Sequence, residues 1–156
     1  MSLTRVLAPV AGRAVALHDV PDPVFSAGMV GYGAAVDPPR GVVEAIAPVG
    51  GTLLKLMPHA YVIMTADNVG VLVHLGLDTV ALNGEGFTTH VSQGDDVAAG
   101  QVIVTYDVPA IEAKGLNPIV PVVVMDEREP GNVTMAEPVL VGADIDSGAE
   151  LFTATK

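Results

Sequence analysis

Apolar residues in this chain fall into short runs, each closed within a few positions by glycine or proline. The runs cover residues 34–36, 41–46, 52–56, 60–64, 71–75, 102–106, 119–124 and 151–154, and valine is prominent in them. Short aliphatic runs at this spacing predict many short strands and an all-β fold, an antiparallel β-sandwich or barrel. No apolar pattern of helical period extends beyond about two turns. The best helical candidate is 108–115, with Pro109 suited to a first turn and Gly115 to a stop. A second short turn is expected over 125–129, ended by Pro130. Residues 20–23 and 37–41, rich in proline, read as loops.

Two internal echoes run through the chain. Ala8-Pro9-Val10-Ala11-Gly12 running on to Leu17 resembles Ala47-Pro48-Val49-Gly50-Gly51 running on to Leu56. Gly94 to Gly100 resembles Gly142 to Gly148, with Val97 matching Ile145 and an aliphatic strand following each. Both echoes fit a folded-over sheet whose halves reuse one turn. No linker divides the chain, so one domain over 1–156 is expected.

Composition narrows the classes. Half the residues are hydrophobic and only 16% are charged, which supports a packed core rather than disorder. No window approaches the ~18 uninterrupted apolar residues of a membrane helix, so no membrane insertion is expected. Met1 to Arg5 lacks the apolar centre of a signal peptide. Cysteine is absent, which excludes disulfides and thiolate metal sites. A cytoplasmic location is the resulting expectation. The net charge of −11 argues against nucleic acid and anionic membranes as partners and suits a basic protein partner.

Candidate chemistry centres on His74, in the middle of the apolar run before Gly76. Poor hydration there favours the neutral imidazole. Gly76 lets the backbone turn tightly and bring a carbonyl to the ring. One nitrogen so held leaves the other as a lone pair, fit for nucleophilic attack or metal binding. A core histidine with both nitrogens satisfied is the alternative. His59 precedes the run at 60–64; if that run pairs antiparallel with 71–75, the two rings stand side by side. Such a pair can transfer a phosphoryl group, bind zinc with a third ligand, or work as a general base. The zinc-hydrolase version is weakened because no H-x-H or H-E-x-x-H occurs. His18 beside Asp19 and His90 after two threonines read as surface histidines. Asp78-Thr79 suits either a partner contact or a turn. No phosphate-binding glycine loop or nucleophile elbow is present. A lipoyl- or biotinyl-type carrier would need a lysine at a hairpin tip. Lys55 sits instead in an alternating strand pattern, and Lys114 near the end of the helix candidate.

Several motifs in order identify a resemblance. Val71-Leu72-Val73-His74-Leu75-Gly76-Leu77-Asp78-Thr79-Val80 resembles the phosphorylation-site segment of the glucose-type IIA domains of the bacterial sugar phosphotransferase system. Further matching stretches are 19–25, 29–33, 47–52, His59-Ala60, 84–87 and 100–107, so the likeness runs from about Val6 to Ala154. The resemblance implies a β-sandwich of the duplicated-hybrid-motif type. It implies that His74 accepts a phosphoryl group on Nε2 from the carrier protein HPr and passes it to a cysteine of a IIB domain. His59 would support the phosphoryl oxygens, and the Gly76 carbonyl would hold Nδ1–H of His74. Val24, Phe25, Met29, Val30, Leu72 and Val80 match an apolar docking rim, and Asp22 and Asp78 match acids that meet arginines of HPr. No cofactor is implied for transfer, although some relatives bind zinc between the two histidines when docked to a regulatory target. A regulatory protein acting through its unphosphorylated face is the alternative function.

The chain departs from the family in two places. Met57 stands where relatives carry a threonine that bonds the supporting histidine, and Asn68 stands where a glycine is usual.

Overall fold

A computed structural model describes residues 3–156. In chain order the strands are β1 (Leu3–Leu7), β2 (Gly12–Ala16), β3 (Gly31–Asp37), β4 (Val42–Ile46), β5 (Gly51–Met57), β6 (Ala60–Met64) and β7 (Gly70–His74). They continue with β8 (Phe87–Thr89), β9 (Asp96–Val97), β10 (Val102–Asp107), β11 (Val120–Met125), β12 (Val133–Met135), β13 (Asp144–Ile145) and β14 (Glu150–Thr155). Three short helices, α1 (Pro23–Ser26), α2 (Val108–Ala113) and α3 (Glu137–Val141), interrupt them.

An eight-stranded antiparallel sheet has the order β13-β2-β3-β11-β7-β6-β5-β9, and two three-stranded sheets have the orders β1-β14-β12 and β4-β10-β8. The architecture is therefore a sandwich. The large sheet ends on two different strands, β13 and β9, so it does not close into a barrel. No helix among the described residues is long and apolar enough to cross a membrane.

The sequence echoes become a pseudo-twofold. Ile145 pairs with Gly12 at one edge of the large sheet, and Val97 pairs with Gly51 at the other. The halves also exchange matching bonds at their centre: Leu7 N–H donates to Pro48 O at 2.9 Å, and Ile46 N–H to Pro9 O at 2.9 Å. Each half thus closes the other's turn.

Strand alternation divides the apolar residues between two cores. Ile63, Val71, Val73, Val122 and Val124 face inward, with Phe152 and Ile103 of the small sheets in the same cluster. Ala60, Val62, Leu72 and Val123 face outward into a second cluster with Leu17, Val20, Phe25, Leu77 and Ile119. The stretches 60–64 and 71–73 read as unbroken apolar sequence because both faces of the central strands are covered there. Tyr61 spans the inner core and donates its hydroxyl to Ile46 O at 2.7 Å. The Tyr106 hydroxyl is buried with no partner among the described residues. Burial raises both phenol pKa values.

The expected helix forms as α2. Asp107 caps it by accepting from Ala110 N–H, and Pro109 lies in its first turn. Of the turn expected over 125–129 only a tight reversal at Asp126 forms, with Glu127 N–H donating to Val124 O at 3.4 Å. Met125 ends β11, and a 3-10 turn starts at Pro130 instead of stopping before it. Proline's fixed φ suits the first position of a turn as well as the place after one. Pro23, the last residue of the loop expected over 20–23, instead opens α1, because Asp22 Oδ1 accepts from Val24 N–H at 2.9 Å and Phe25 N–H at 3.2 Å. Helix α3 was not expected; its five residues show too little of a helical period to register.

Candidate functional site

His74 closes β7 on the outward face. Alternation places it on the same side as Leu72, with Val73 and Leu75 in the inner core. Strands β6 and β7 pair antiparallel, with Ala60 directly opposite His74. His59 is therefore one residue off the cross-strand position and sits in the hairpin turn between β5 and β6. The two rings nevertheless meet edge to face, with centroids 5.2 Å apart and planes inclined by 70°. Leu75 N–H donates to His59 O at 2.7 Å and so ties the two segments together beside the rings.

The Nδ1–H of His74 donates to Gly76 O at 2.5 Å. A carbonyl can only accept, so this contact assigns the proton to Nδ1 and the lone pair to Nε2. Gly76 has φ +89°, a region that disfavours residues with a Cβ. The space is also taken: a Cβ there would lie 2.6 Å from Thr79 Cγ2 and 3.1 Å from Asn117 O.

Both imidazoles titrate below the ordinary histidine range. Burial lowers His74, opposed by the Gly76 hydrogen bond and by the charges of Asp22 and Asp78. Burial also lowers His59, and proximity to His74 lowers it further. Both shifts favour the uncharged rings at neutral pH, which leaves His74 Nε2 a lone pair able to act as a nucleophile.

Phe25 packs edge-on against His74 with centroids 5.5 Å apart. Phe25 and Leu72 are buried, and Val30 is half-buried against the outer cluster. Val24, Met29 and Val80 are the open members at 43%, 63% and 63% exposure. Asp22 serves as the α1 cap, so its carboxylate is already half engaged. Asp78 has φ +59° and leads into the 3-10 turn at Thr79–Leu82.

The remaining candidates lie outside this cluster. His18 is exposed, 3.4 Å from Asp19. His90 is exposed and bonds Thr105 Oγ1 at 2.6 Å. Lys55 is an exposed strand residue of β5, and Lys114 lies 3.8 Å from Glu85. No group of three or more His, Asp or Glu side chains able to hold a metal forms among the described residues. His59 and His74 supply two imidazoles, so a tetrahedral zinc would need its other ligands from outside the chain.

The place of Asn68 has a backbone reason: its φ is +62°, the left-handed region that glycine and asparagine tolerate best. Sequence reasoning passed over Asn117. Its carbonyl accepts from Leu77 N–H at 2.8 Å and its side chain from Ile119 N–H at 2.9 Å. No motif marks it; a lone asparagine before proline reads only as a turn.

Comparison with known proteins decides the family. Residues 4–129 match the model of the phosphoenolpyruvate-dependent sugar phosphotransferase system, EIIA 1. The chain belongs to the EIIA 1 family. This EIIA chain is 41% identical over 137 residues to the PTS system glucose-specific EIIA component of Oceanobacillus iheyensis, covering 85% of this chain and 82% of that one. It is 39% identical over 135 residues to the PTS system glucose-specific EIIBCA component of Corynebacterium glutamicum, covering 86% of this chain but only 20% of that longer protein. Glucose permease IIA from Mycoplasma capricolum superposes with a TM-score of 0.86 at 31% identity, covering 98% and 96% of the two chains. EIIA components are phosphotransferase components that carry phosphoryl groups, so this chain is a phosphocarrier of that system.

Proposed function

We propose that His74 is the phosphoryl acceptor of this EIIA chain and that His59 steadies the transferred group. The observation that carries the reading is the Nδ1–H bond from His74 to Gly76 O, which leaves Nε2 as the free nucleophile beside His59. Histidine-phosphorylated HPr is the donor. Nε2 attacks phosphorus in line, the donor's N–P bond breaks and an Nε2–P bond forms. His74 keeps its Nδ1 proton throughout. In the onward step a IIB cysteine thiolate attacks phosphorus and His74 leaves through Nε2. Nitrogen stands on both sides of the first step, so the leaving groups are matched and transfer runs readily in both directions. The protein's task is alignment and support of three equatorial oxygens.

The exposed Val24, Met29 and Val80 form the docking rim, and Asp22 and Asp78 meet basic side chains of HPr. An apolar seal there keeps water from the phosphoramidate. Relatives in which EIIA is fused to IIB and IIC support IIB as the onward partner.

Incubation with phosphoenolpyruvate, enzyme I and HPr tests the reading. Wild type takes label, His74→Ala takes none, and His59→Gln takes label but loses transfer to IIB. Label retained on His74→Ala overturns the assignment.

A further inference from the structure

Three consecutive peptide units follow the His74 side chain, and each is pinned by a hydrogen bond other than the one Gly76 O accepts from Nδ1–H. The unit joining His74 to Leu75 donates its N–H to His59 O at 2.7 Å. The unit joining Leu75 to Gly76 accepts at Leu75 O from Thr79 Oγ1 at 2.9 Å. The unit joining Gly76 to Leu77 donates its N–H to Asn117 O at 2.8 Å. Two of the partners are main-chain carbonyls. Thr79 alone acts through a side chain.

Thr79 is a polar residue at 0% exposure, the first of the 3-10 turn that follows Asp78. Its hydroxyl has one bonded partner, Leu75 O. Its methyl lies where a Cβ on Gly76 would fall, at 2.6 Å from that point. One face of the side chain therefore fixes the carbonyl before Gly76, and the other closes the space behind Gly76. Together they leave the Gly76 carbonyl one direction to point, at His74 Nδ1. Leu77 N–H bonding to Asn117 O polarises that same peptide unit and strengthens Gly76 O as an acceptor.

We propose that Thr79 is a positioning residue for phosphoryl transfer: through Leu75 O and Gly76 it sets the Nδ1–H tautomer of His74 and so keeps Nε2 free to react. The Thr79 hydroxyl bonds Leu75 O and neither imidazole. The inference rests on His74 being the acceptor, but its first readout does not depend on transfer.

The test compares Thr79→Val, which keeps the shape and removes the hydroxyl, with Thr79→Ser, which keeps the hydroxyl and removes the methyl. Side-chain nitrogen–proton correlation spectra of the full chain report the His74 tautomer directly. Wild type shows the Nδ1–H form with a slowly exchanging proton. Thr79→Val shifts the population toward Nε2–H and accepts phosphoryl from phospho-HPr about tenfold more slowly, the scale for losing a group that orients a reactive imidazole through its other nitrogen. Thr79→Ser restores the wild-type tautomer and most of the rate. A Thr79→Val chain with unchanged tautomer and rate overturns the proposal, as does a Thr79→Ser chain as impaired as the valine variant. Should Thr79→Val fail to fold, the wild-type spectrum still decides: an Nε2–H tautomer at His74 in the native chain refutes it. Failure of His74 to take label with a normal Nδ1–H signal would instead count against the proposed function.

Discussion

Replacing Gly76 with alanine places two separable penalties on the same peptide. The first is conformational: φ +89° forces a residue with a Cβ into left-handed backbone, costing about 1–2 kcal/mol. The second is steric. The new methyl would sit 2.6 Å from Thr79 Cγ2 and 3.1 Å from Asn117 O, so a buried side chain or a bonded backbone must move, at about 1–3 kcal/mol. The sum, roughly 2–5 kcal/mol, is less than most of the 5–15 kcal/mol that holds a typical domain, so the variant folds. For a chain of 156 residues each kcal/mol lowers the melting temperature by about 2–4 °C, giving a fall of roughly 10 °C. Thermal unfolding followed by circular dichroism measures it. Phosphoryl transfer from phospho-HPr, assayed well below the melting range, then shows the functional loss. Relief of the clash moves the Gly76 carbonyl off Nδ1, so the rate falls by more than the unfolded fraction explains. An alanine variant that melts within a degree of wild type and transfers at the wild-type rate would refute the reasoning about this turn.

Other outcomes follow from the same geometry. Both histidines titrate lower folded than unfolded, so the unfolded chain binds more protons, and stability is fully present above about pH 6.5 and lost as pH falls below it. Each ring contributes a slope of at most about 1.4 kcal/mol per pH unit; denaturant midpoints across that window should flatten in the His59→Gln, His74→Gln double variant. Tyr61→Phe removes a buried hydroxyl bonded to Ile46 O and costs about 1–2 kcal/mol, whereas Tyr106→Phe removes a buried hydroxyl with no partner and is neutral or stabilising in the same urea titration. Asn68→Ala lowers stability by about 1 kcal/mol at its left-handed position and Asn68→Gly does not; equal effects would be inconsistent with a backbone cause. Val80→Asp, on an exposed rim position, slows transfer from HPr by an order of magnitude or more while leaving the melting temperature within about a degree.

Much of this was readable from residues because the relevant signals are local. Short valine-rich runs between glycines and prolines specify strands, and the repeated turns at Gly94 and Gly142 announced the paired halves that the sheet order displays. His74 and Gly76 lie two apart, so their contact needs only a strand end and a glycine. Relations set by tertiary packing were less visible. The sequence suggested that the rings of His59 and His74 would face each other across paired strands. His59 reaches its neighbour from a hairpin turn, one position off, because β6 begins only at Ala60. Helix α1 was hidden because its cap, Asp22, sits between two prolines and looks like part of a loop. Asn117 contributes mostly main chain to the turn beside His74, and a main-chain role leaves no trace in residue type.

The pairing of β1 with β14 sets Leu3 opposite Thr155. Strand neighbours of that kind stand about 5 Å apart, so the chain enters and leaves the fold at a single point. A tether attached at either end would hang from the same anchor and sweep nearly the same volume. The local concentration of a tethered partner over the histidine face would then be set by the tether's length and stiffness and hardly by gene order. A short peptide bridging the two ends should close the molecule into a ring, leaving the backbone free to be reopened at a different surface loop.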